Sequence, residues 1–465
     1  MTTFRRWSSF LLAMLVVLSL VGCQADAPTT APTTAPTTQP TTAPTTQPTT
    51  APTTQPSTAP TQPQILDYEA PEGSALATLP KYTYDPFVSV WDMNLGAHMA
   101  SFKATSADGY QAYQNDLIDA GFELYAENQI GDNYFSTFID DEVQVTAMFV
   151  PYLKQVRVLA EPLGVLPTRA EDNVYEDKDV ENVLAMVGCH YDKAKENGMC
   201  YIYRLADGSF LIEDSGHNAE SQADAVYDAL VRLAPDPENI VIAAWIFSHP
   251  HNDHVGGFYS FSQRYMDKVT LEKVIYNFPN QRSFELTDTP LKFISDVPSL
   301  AKQYGAQIIE AHPGQVFYIR DAKVEVLYTC DVFSTETILF MNNSSLVLTV
   351  ELNDTRVMML GDSGPLASPI VEKMYGSYLK SDMLQVAHHG YKGASKQLNI
   401  NIDPTVAMWP VSQNDYKDNK ETLYNEPLLD AEYTFVAHTY TTVFPLPFTG
   451  ELSDQWLAYD WENAA

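Results

Sequence analysis

An apolar run, Ile240–Phe247, leads directly into the segment Ser-His-Pro-His-Asn-Asp-His-Val-Gly-Gly. A continuous run of this length is typical of a strand that is covered on both faces. Imidazole nitrogens and carboxylate oxygens at the mouth of such a strand are suitable ligands for Zn²⁺, Mn²⁺ or iron. The sequence therefore predicts two adjacent divalent metal ions, of which Zn²⁺ is the preferred identity. We assign His249 and His251 to one ion, and Asp253 and His254 to the other.

Three further predicted strands end in side chains of the same kind. Their ranges and the residues that follow them are 209–213 before Asp214, 355–360 before Asp362, and 383–387 before His388 and His389. The first of these strands pairs with residues 201–205 in a hairpin that turns at Asp207 and Gly208. An amphipathic helix follows this hairpin, and Asn218 is its predicted cap.

The HxHxDH segment, which is followed by Gly256 and Gly257, resembles the signature of metallo-β-lactamase-fold hydrolases. The resemblance covers about 260 residues, roughly 189–446. It implies an α+β fold of the αββα type, a four-layer sandwich with two mixed sheets face to face and helices outside. It also implies a metal-dependent hydrolase whose ions lie at one edge of the sandwich.

The same resemblance implies roles for the other strand ends. Asp214 matches the aspartate that supports the metal loop, and Asp362 matches the carboxylate that bridges the two ions. One of His388 and His389 matches the last ligand of the second ion, and we favour His389. His388 is then expected outside the ligand shell or against a substrate phosphoryl oxygen. The predicted catalytic residues are Asp253, Asp214 and His388.

One position departs from the pattern of the family. Many members place a histidine in a Gly-His-Thr segment just before the Gly-Asp strand, where it completes the first metal site. The corresponding residues 341–348 contain no histidine here. His312, in a loop between the motifs, is one candidate for this ligand, and an exposed turn histidine is the equal alternative for it; Asn343 is the other candidate ligand. If neither residue binds, the first site is weak and one tightly bound ion remains.

The Asn-Asn-Ser-Ser-Leu-Val-Leu stretch with Gly-Asp and His-His-Gly is similar to two branches of the family. These are the extracytoplasmic domain of DNA-uptake competence proteins and the cell-wall phosphorylcholine esterases. Both resemblances imply phosphodiester hydrolysis, with attack on phosphorus by a metal-bound hydroxide that Asp253 or Asp214 orients. The predicted substrate contacts, for which surface or core positions are the alternative, are Tyr391, Lys392, Asn343 and His438.

The net charge of the chain favours one of these two resemblances over the other. The chain has 27 Lys and Arg against 59 Asp and Glu, a net charge of −32. Nucleic acid is therefore disfavoured as a partner, because its binding depends on basic side chains that neutralise phosphates. A small-molecule or cell-wall phosphodiester is preferred, and no protein partner is evident. The alternatives are a (thio)ester hydrolase on the same fold and a non-catalytic surface-binding lipoprotein.

The N-terminal 64 residues are predicted to be an export signal and a stalk. Residues 1–22 contain Arg5, Arg6 and an apolar run that ends just before Cys23, and they resemble a bacterial lipoprotein signal peptide. Lipidation of Cys23 would anchor the chain at the outer face of the cytoplasmic membrane or the cell surface; the alternative is an uncleaved N-terminal anchor. Residues 23–64 form a Thr/Pro-rich linker that cannot build a core and is predicted to be disordered.

Two folded domains are predicted after the linker. Residues 65–180 read as a small α+β module of unknown role, with a helix around Tyr110 and a hairpin that breaks at Pro151. Residues 181–465 form the hydrolase domain. If Cys23 is lipidated, three cysteines remain: Cys189, Cys200 and Cys330. Because their number is odd, at least one thiol stays free of a disulfide within the chain.

Overall fold

The computed structural model describes residues 68–457 except 95, 190–197, 280–291, 334–340 and 438–439. The chain divides into Met1–Thr61 and Gln62–Ala465, and all described residues belong to the second unit. The predicted signal peptide, Cys23 and the Thr/Pro-rich linker lie outside the described residues. In the described part of the chain, no helix combines the length and apolar character that crossing a membrane requires.

The described residues contain strands that form three sheets and helices that cover them. The strands are β1 Phe87–Asn94, β2 Ala97–Lys103, β3 Glu123–Ile130, β4 Asn133–Ile139, β5 Val143–Val150, β6 Gln155–Pro162, β7 Val183–Met186, β8 Tyr201–Arg204, β9 Phe210–Glu213, β10 Ile240–Phe247, β11 Val269–Leu271, β12 Lys273–Tyr276, β13 Gln307–Glu310, β14 Val316–Ile319, β15 Ala322–Tyr328, β16 Val347–Leu352, β17 Thr355–Met359, β18 Met383–Gln385, β19 Val406–Trp409, β20 Tyr433–Val436, β21 Tyr440–Pro445 and β22 Asp454–Leu457. The helices are α1 Asp108–Asp119, α2 Glu220–Leu233, α3 Asn252–Arg264, α4 Lys292–Gln303, α5 Cys330–Phe333, α6 Ala367–Tyr375, α7 Lys396–Ile402 and α8 Gln413–Asn419.

Two mixed sheets form the centre of the structure. The nine-stranded sheet has the order β13-β12-β10-β9-β8-β7-β21-β22, with β11 also paired to β10. The seven-stranded sheet runs from β14 to β20 in chain order. Their facing sides share one apolar cluster, which includes Ile246 from the first sheet and Val357 and Met408 from the second. The predicted pair of mixed sheets, packed face to face, is therefore confirmed.

Helices cover the outer faces of this sandwich. Buried residues of α2, α3 and α4 pack on the nine-stranded sheet. Residues of α6 and α7 pack on the seven-stranded sheet, as Val371 and Leu398 do. The predicted αββα arrangement is confirmed, and β10 has the predicted bounds because its run of apolar side chains is buried between the two layers. The predicted cap of α2 is wrong: Ala219 holds that position, and Asn218 accepts a hydrogen bond from Ser260 instead.

A third, six-stranded antiparallel sheet with the order β1-β2-β6-β5-β4-β3 precedes the sandwich. The predicted helix is α1, whose buried Tyr110, Tyr113 and Leu117 pack on one face of this sheet. The other face, including Phe135 and Leu159, joins the apolar cluster on the outside of the seven-stranded sheet. The domain boundary near residue 180 stays a prediction, since residues on both sides of it contribute to this shared cluster.

Candidate metal centre

The first group of potential ligands comes from the loop after β10 and from the turn after β17. His249 Nε2 lies 2.9 Å from His251 Nδ1 and 3.8 Å from Asp362 Oδ2. Each of these three residues offers a ligand atom within 4.8 Å of the others. His249 and Asp362 are buried, whereas His251 is partly exposed. The group is therefore open to solvent on the His251 side.

The second group shares Asp362 with the first. Its other members are Asp253 and His254, in the first turn of α3, and His389, which follows β18. Asp362 Oδ1 lies 3.2 Å from His254 Nε2 and 3.6 Å from His389 Nε2. Asp253 Oδ2 lies 3.3 Å from His389 Nε2. The two oxygens of Asp362 thus face different groups, which is the arrangement expected of a bridging carboxylate.

Glycines allow α3 to begin inside the ligand segment. An added Cβ at Gly257 would clash with the carbonyl oxygen of Ser215, and one at Gly256 would clash with the backbone of Asn218. The N–H of Gly257 donates to the carbonyl of Gly216 at 2.7 Å. This close approach joins α3 to the loop after β9, so the two backbone segments that carry Asp214 and His254 are held together.

Asp214 lies behind the ligands and orients one of them. It is fully buried, with φ +55°, and its Oδ2 lies 2.6 Å from Nδ1 of His254. Ser248 donates to the same carboxylate from its backbone N–H at 2.8 Å and from its hydroxyl at 2.6 Å. Because Nδ1–H of His254 points to Asp214, Nε2 carries the lone pair that faces Asp362. Asp214, one of the predicted catalytic residues, is therefore a positioning residue.

The two adjacent histidines after β18 face different surroundings. His389 is buried, and its Nδ1 lies 2.8 Å from the carbonyl oxygen of Pro410, so Nε2 is left for the ligand cluster. His388 is partly exposed, and its ring lies 5.6 Å from that of Tyr391. Both residues have φ +53°, a left-handed conformation that turns the chain sharply at this point. The backbone thus directs one imidazole inward and the other to the rim.

The residues of the second group fit a divalent cation. The atoms His254 Nε2, Asp362 Oδ1 and His389 Nε2 are buried and make no hydrogen bond. Burial alone would raise the pKa of the Asp362 carboxyl, but the neighbouring imidazoles, that of His254 foremost, lower it well below its usual range. Buried polar atoms normally have partners. A cation among these atoms would supply the missing one.

Residues 195–404 match the family model of the metallo-beta-lactamase superfamily. The matched stretch is less than half of the 465-residue chain. It contains every member of both ligand groups. The fold implies divalent metal binding, and the His and Asp clusters provide the donor atoms for it.

Several solved structures are similar to this chain at low identity. YhfI from Bacillus subtilis, a metallo-beta-lactamase fold protein, is 15% identical over 56% of this chain and 99% of its own, with a TM-score of 0.37. CmlA, a diiron beta-hydroxylase from Streptomyces venezuelae, is 12% identical over 57% of this chain and 54% of its own, with a TM-score of 0.37. Zn²⁺-bound PqqB from Methylobacterium extorquens is 8% identical over 55% of this chain and 97% of its own, with a TM-score of 0.34. No curated protein sequence matches this chain.

His312 lies outside both ligand groups. Its Nε2 is 2.8 Å from Oε1 of Glu161, at the end of β6, and its backbone N–H donates to Gln315. The ring therefore belongs to the contact between the six-stranded sheet and the sandwich. The expectation that His312 completes the first site is corrected accordingly, because its ring nitrogen is directed to a carboxylate of another sheet.

Asn343 also serves a structural purpose. Its side chain is buried, and its Oδ1 accepts the backbone N–H of Leu366 just before α6, at 3.3 Å. The neighbouring Asn342, which is not among the predicted site residues, donates from Nδ2 to Oδ2 of Asp362 at 3.2 Å. The Asn-Asn pair was the available signal, but its sequence does not tell which of the two side chains points to the metal ligands.

The remaining predicted substrate contacts lie near the rim or outside the described residues. Tyr391 is partly exposed beside His388, and Lys392 is exposed. His438 lies outside the described residues. Ser248 is a positioning residue that sequence reasoning missed. Its place next to His249 was the only local sign, since its role depends on contact with Asp214, 34 positions away.

Proposed function

We propose that this protein is an extracytoplasmic, divalent-metal-dependent hydrolase that cleaves a phosphodiester bond in a small or zwitterionic substrate. The observation that carries the proposal is the convergence of two ligand groups on the single carboxylate of Asp362. A carboxylate has two oxygens, so it can contribute to two neighbouring ions at once. Two-ion sites are a common solution for displacement at phosphorus.

The proposed ligands follow from the two groups. His249, His251 and Asp362 would hold the first ion, and Asp253, His254, Asp362 and His389 the second. Zn²⁺ is our first choice because it favours imidazole and carboxylate ligands, and Mn²⁺ or iron would use the same donors. When bound, the ions would act as Lewis acids that activate water and offset negative charge on a phosphoryl group.

The side chains around the ligands would orient the reactants. The Asp253 side chain is 26% exposed, in contrast to 2% for Asp362, so it is the carboxylate that an incoming water can reach. We assign Asp253 to accept a hydrogen bond from this water and fix its direction. His388, at the rim, would donate a hydrogen bond to a phosphoryl oxygen or to the leaving group.

Charge supports a small substrate over a polyanion. The net charge of −32 repels long anionic polymers, and binding to a phosphate backbone needs many basic contacts. Lys392 is an exposed cation that follows the double histidine and Tyr391, and we assign it to the phosphate of the substrate. A phosphodiester that also carries a cationic group would be repelled less than a polyanion.

The proposed location follows from the N-terminal sequence. The apolar run, the lipoprotein-type cysteine at position 23 and the Thr/Pro-rich linker support a lipid anchor and a stalk. The membrane would then be contacted only through the lipid. Metabolic labelling with palmitate tests this: label on the wild-type chain and none on Cys23→Ser is expected. Equal labelling of both chains contradicts a lipid anchor at Cys23.

The function is tested on residues 62–465, which form one compact unit. Metal content by plasma mass spectrometry and hydrolysis of bis-p-nitrophenyl phosphate are measured for wild type, Asp362→Ala and Asp418→Ala. Asp418 is an exposed aspartate of α8 and serves as the matched control. We expect about two ions per chain and turnover in wild type and control, and the loss of both in Asp362→Ala.

Two results would contradict the proposal. Protein that stays metal-free under metal-replete conditions would exclude a metallohydrolase and favour a binding lipoprotein. Metal-loaded protein that hydrolyses p-nitrophenyl acetate or a thioester, but no phosphodiester, would support the proposed metal centre. It would contradict the proposed phosphodiester substrate. The metal content therefore tests the metal centre, and the substrate panel tests separately which bond it hydrolyses.

A further inference from the structure

Two of the three described cysteines lie together in the core. Cys189 follows β7 and Cys200 precedes β8, and both belong to the apolar cluster that joins α2 and α3 to the nine-stranded sheet. They are 2% and 1% exposed. Burial raises the pKa of the Cys200 thiol, and a side-chain hydrogen bond with Cys189 acts in the same direction. Cys330 lies in a different cluster.

Backbone pairing brings the two cysteines together. The antiparallel pairing of β7 with β8 continues past the strand ends, where Val187 N–H donates to the carbonyl of Cys200 at 3.0 Å. Gly198 N–H donates to the carbonyl of Cys189 at 3.4 Å. Cys189 N–H in turn donates to the carbonyl of Val187 at 2.9 Å, which closes a tight turn. The two thiols thus meet between backbone segments that are already paired.

The cysteine pair lies next to the segment 249–254, which carries four of the proposed metal ligands. Met199, the neighbour of Cys200, donates its N–H to the carbonyl of Asp253 at 3.0 Å and accepts from the N–H of Gly216 at 2.8 Å. A Cβ added at Gly216 would lie 3.1 Å from Sγ of Cys189. The backbone of Met199, directly before Cys200, is therefore hydrogen-bonded both to Asp253 and to the loop that carries Asp214.

We propose that Cys189 and Cys200 form a disulfide bond in the exported protein, next to the backbone that contacts Asp253. The two thiols would lose two protons and two electrons to a disulfide-bearing oxidant, whose own S–S bond is cleaved to two thiols. Compartments outside the cytoplasm favour this exchange. The proposal depends on the predicted export and is independent of the bond that the metal centre hydrolyses.

Peptide mapping tests the bond directly. Residues 62–465 are refolded in a buffer of reduced and oxidised glutathione, alkylated in denaturant and digested with trypsin without reductant. Lys193 and Lys195 lie between the two cysteines, so trypsin places Cys189 in peptide 179–193 and Cys200 in peptide 196–204. Only a disulfide joins these peptides. We expect the joined pair, with Cys330 alkylated. Alkylation of all three cysteines, or a bond to Cys330, would overturn the proposal.

Thermal unfolding tests the role of the bond. The oxidised protein is expected to unfold roughly 5 °C above the reduced protein, because closing a short loop lowers the entropy of the unfolded chain. The matched control Cys330→Ala should keep this difference, and Cys189→Ala should abolish it. Equal midpoints for oxidised and reduced wild-type protein would contradict a stabilising bond at this loop.

Discussion

Nδ1 of His254 lies 2.6 Å from Oδ2 of Asp214, and both side chains are completely buried. The same carboxylate accepts two hydrogen bonds from Ser248. This contact selects the tautomer of His254 and directs Nε2 to Asp362. It links the strand end after β9 to the first turn of α3, so the ligand is oriented by a residue from another part of the chain.

Asp214→Asn should weaken metal binding without removing a ligand. The amide keeps the shape of the carboxylate but cannot accept from Nδ1–H of His254 and from both donors of Ser248 with the same strength. We expect metal affinity to fall by roughly 10- to 100-fold. Competition with a chelator measures this loss, and circular dichroism confirms that the fold is retained. Unchanged affinity in a folded variant would contradict the positioning role.

His388 and His389 form a matched pair of substitutions. Both have φ +53°, which asparagine tolerates better than most residues, so His388→Asn and His389→Asn carry similar backbone costs. We expect His389→Asn to lose about one ion per chain. His388→Asn should keep its metal content, and kcat should fall on the order of 100-fold with less effect on KM. Metal loss in His388→Asn with retention in His389→Asn would reverse the assignment.

His312→Ala should affect stability and leave the metal centre intact. The substitution removes the partner of Glu161 and empties a buried position between two sheets. We expect a loss of about 2 kcal/mol in the free energy of unfolding. Denaturant titration measures it, with the partly exposed His98→Ala as the control. If His312→Ala instead loses metal at unchanged stability, His312 is a ligand after all.

Gly257→Ala should disrupt the ligand segment through the backbone. The added methyl group would clash with the carbonyl of Ser215. This carbonyl is held in place because the next one, that of Gly216, accepts a hydrogen bond from the N–H of Gly257. We expect a loss of about 3 kcal/mol in unfolding free energy, together with weaker metal binding. Gly164→Ala is the control, because a methyl group there meets no neighbouring atom. Equal stability of the two variants would show that α3 can shift without cost.

Local patterns in the chain determined most of the fold. The bounds of β10 are readable because a run of apolar side chains marks a strand that both layers cover, and the β8–β9 hairpin is readable from its Asp-Gly turn. The six strands of the six-stranded sheet could be predicted only in part from the sequence. Their buried and exposed residues do not alternate cleanly, since β5 is buried on both faces, between α1 and the sandwich.

The ligand types and their order along the chain were likewise determined by the sequence alone, because the HxHxDH segment, Gly-Asp and His-His each follow a predicted strand. Only the tertiary structure decided which atoms meet. It pairs His312 with Glu161, 151 positions away, and brings Asn342 rather than Asn343 to Asp362. The physical reason is that side-chain direction at a loop depends on packing between distant segments, which no local pattern encodes.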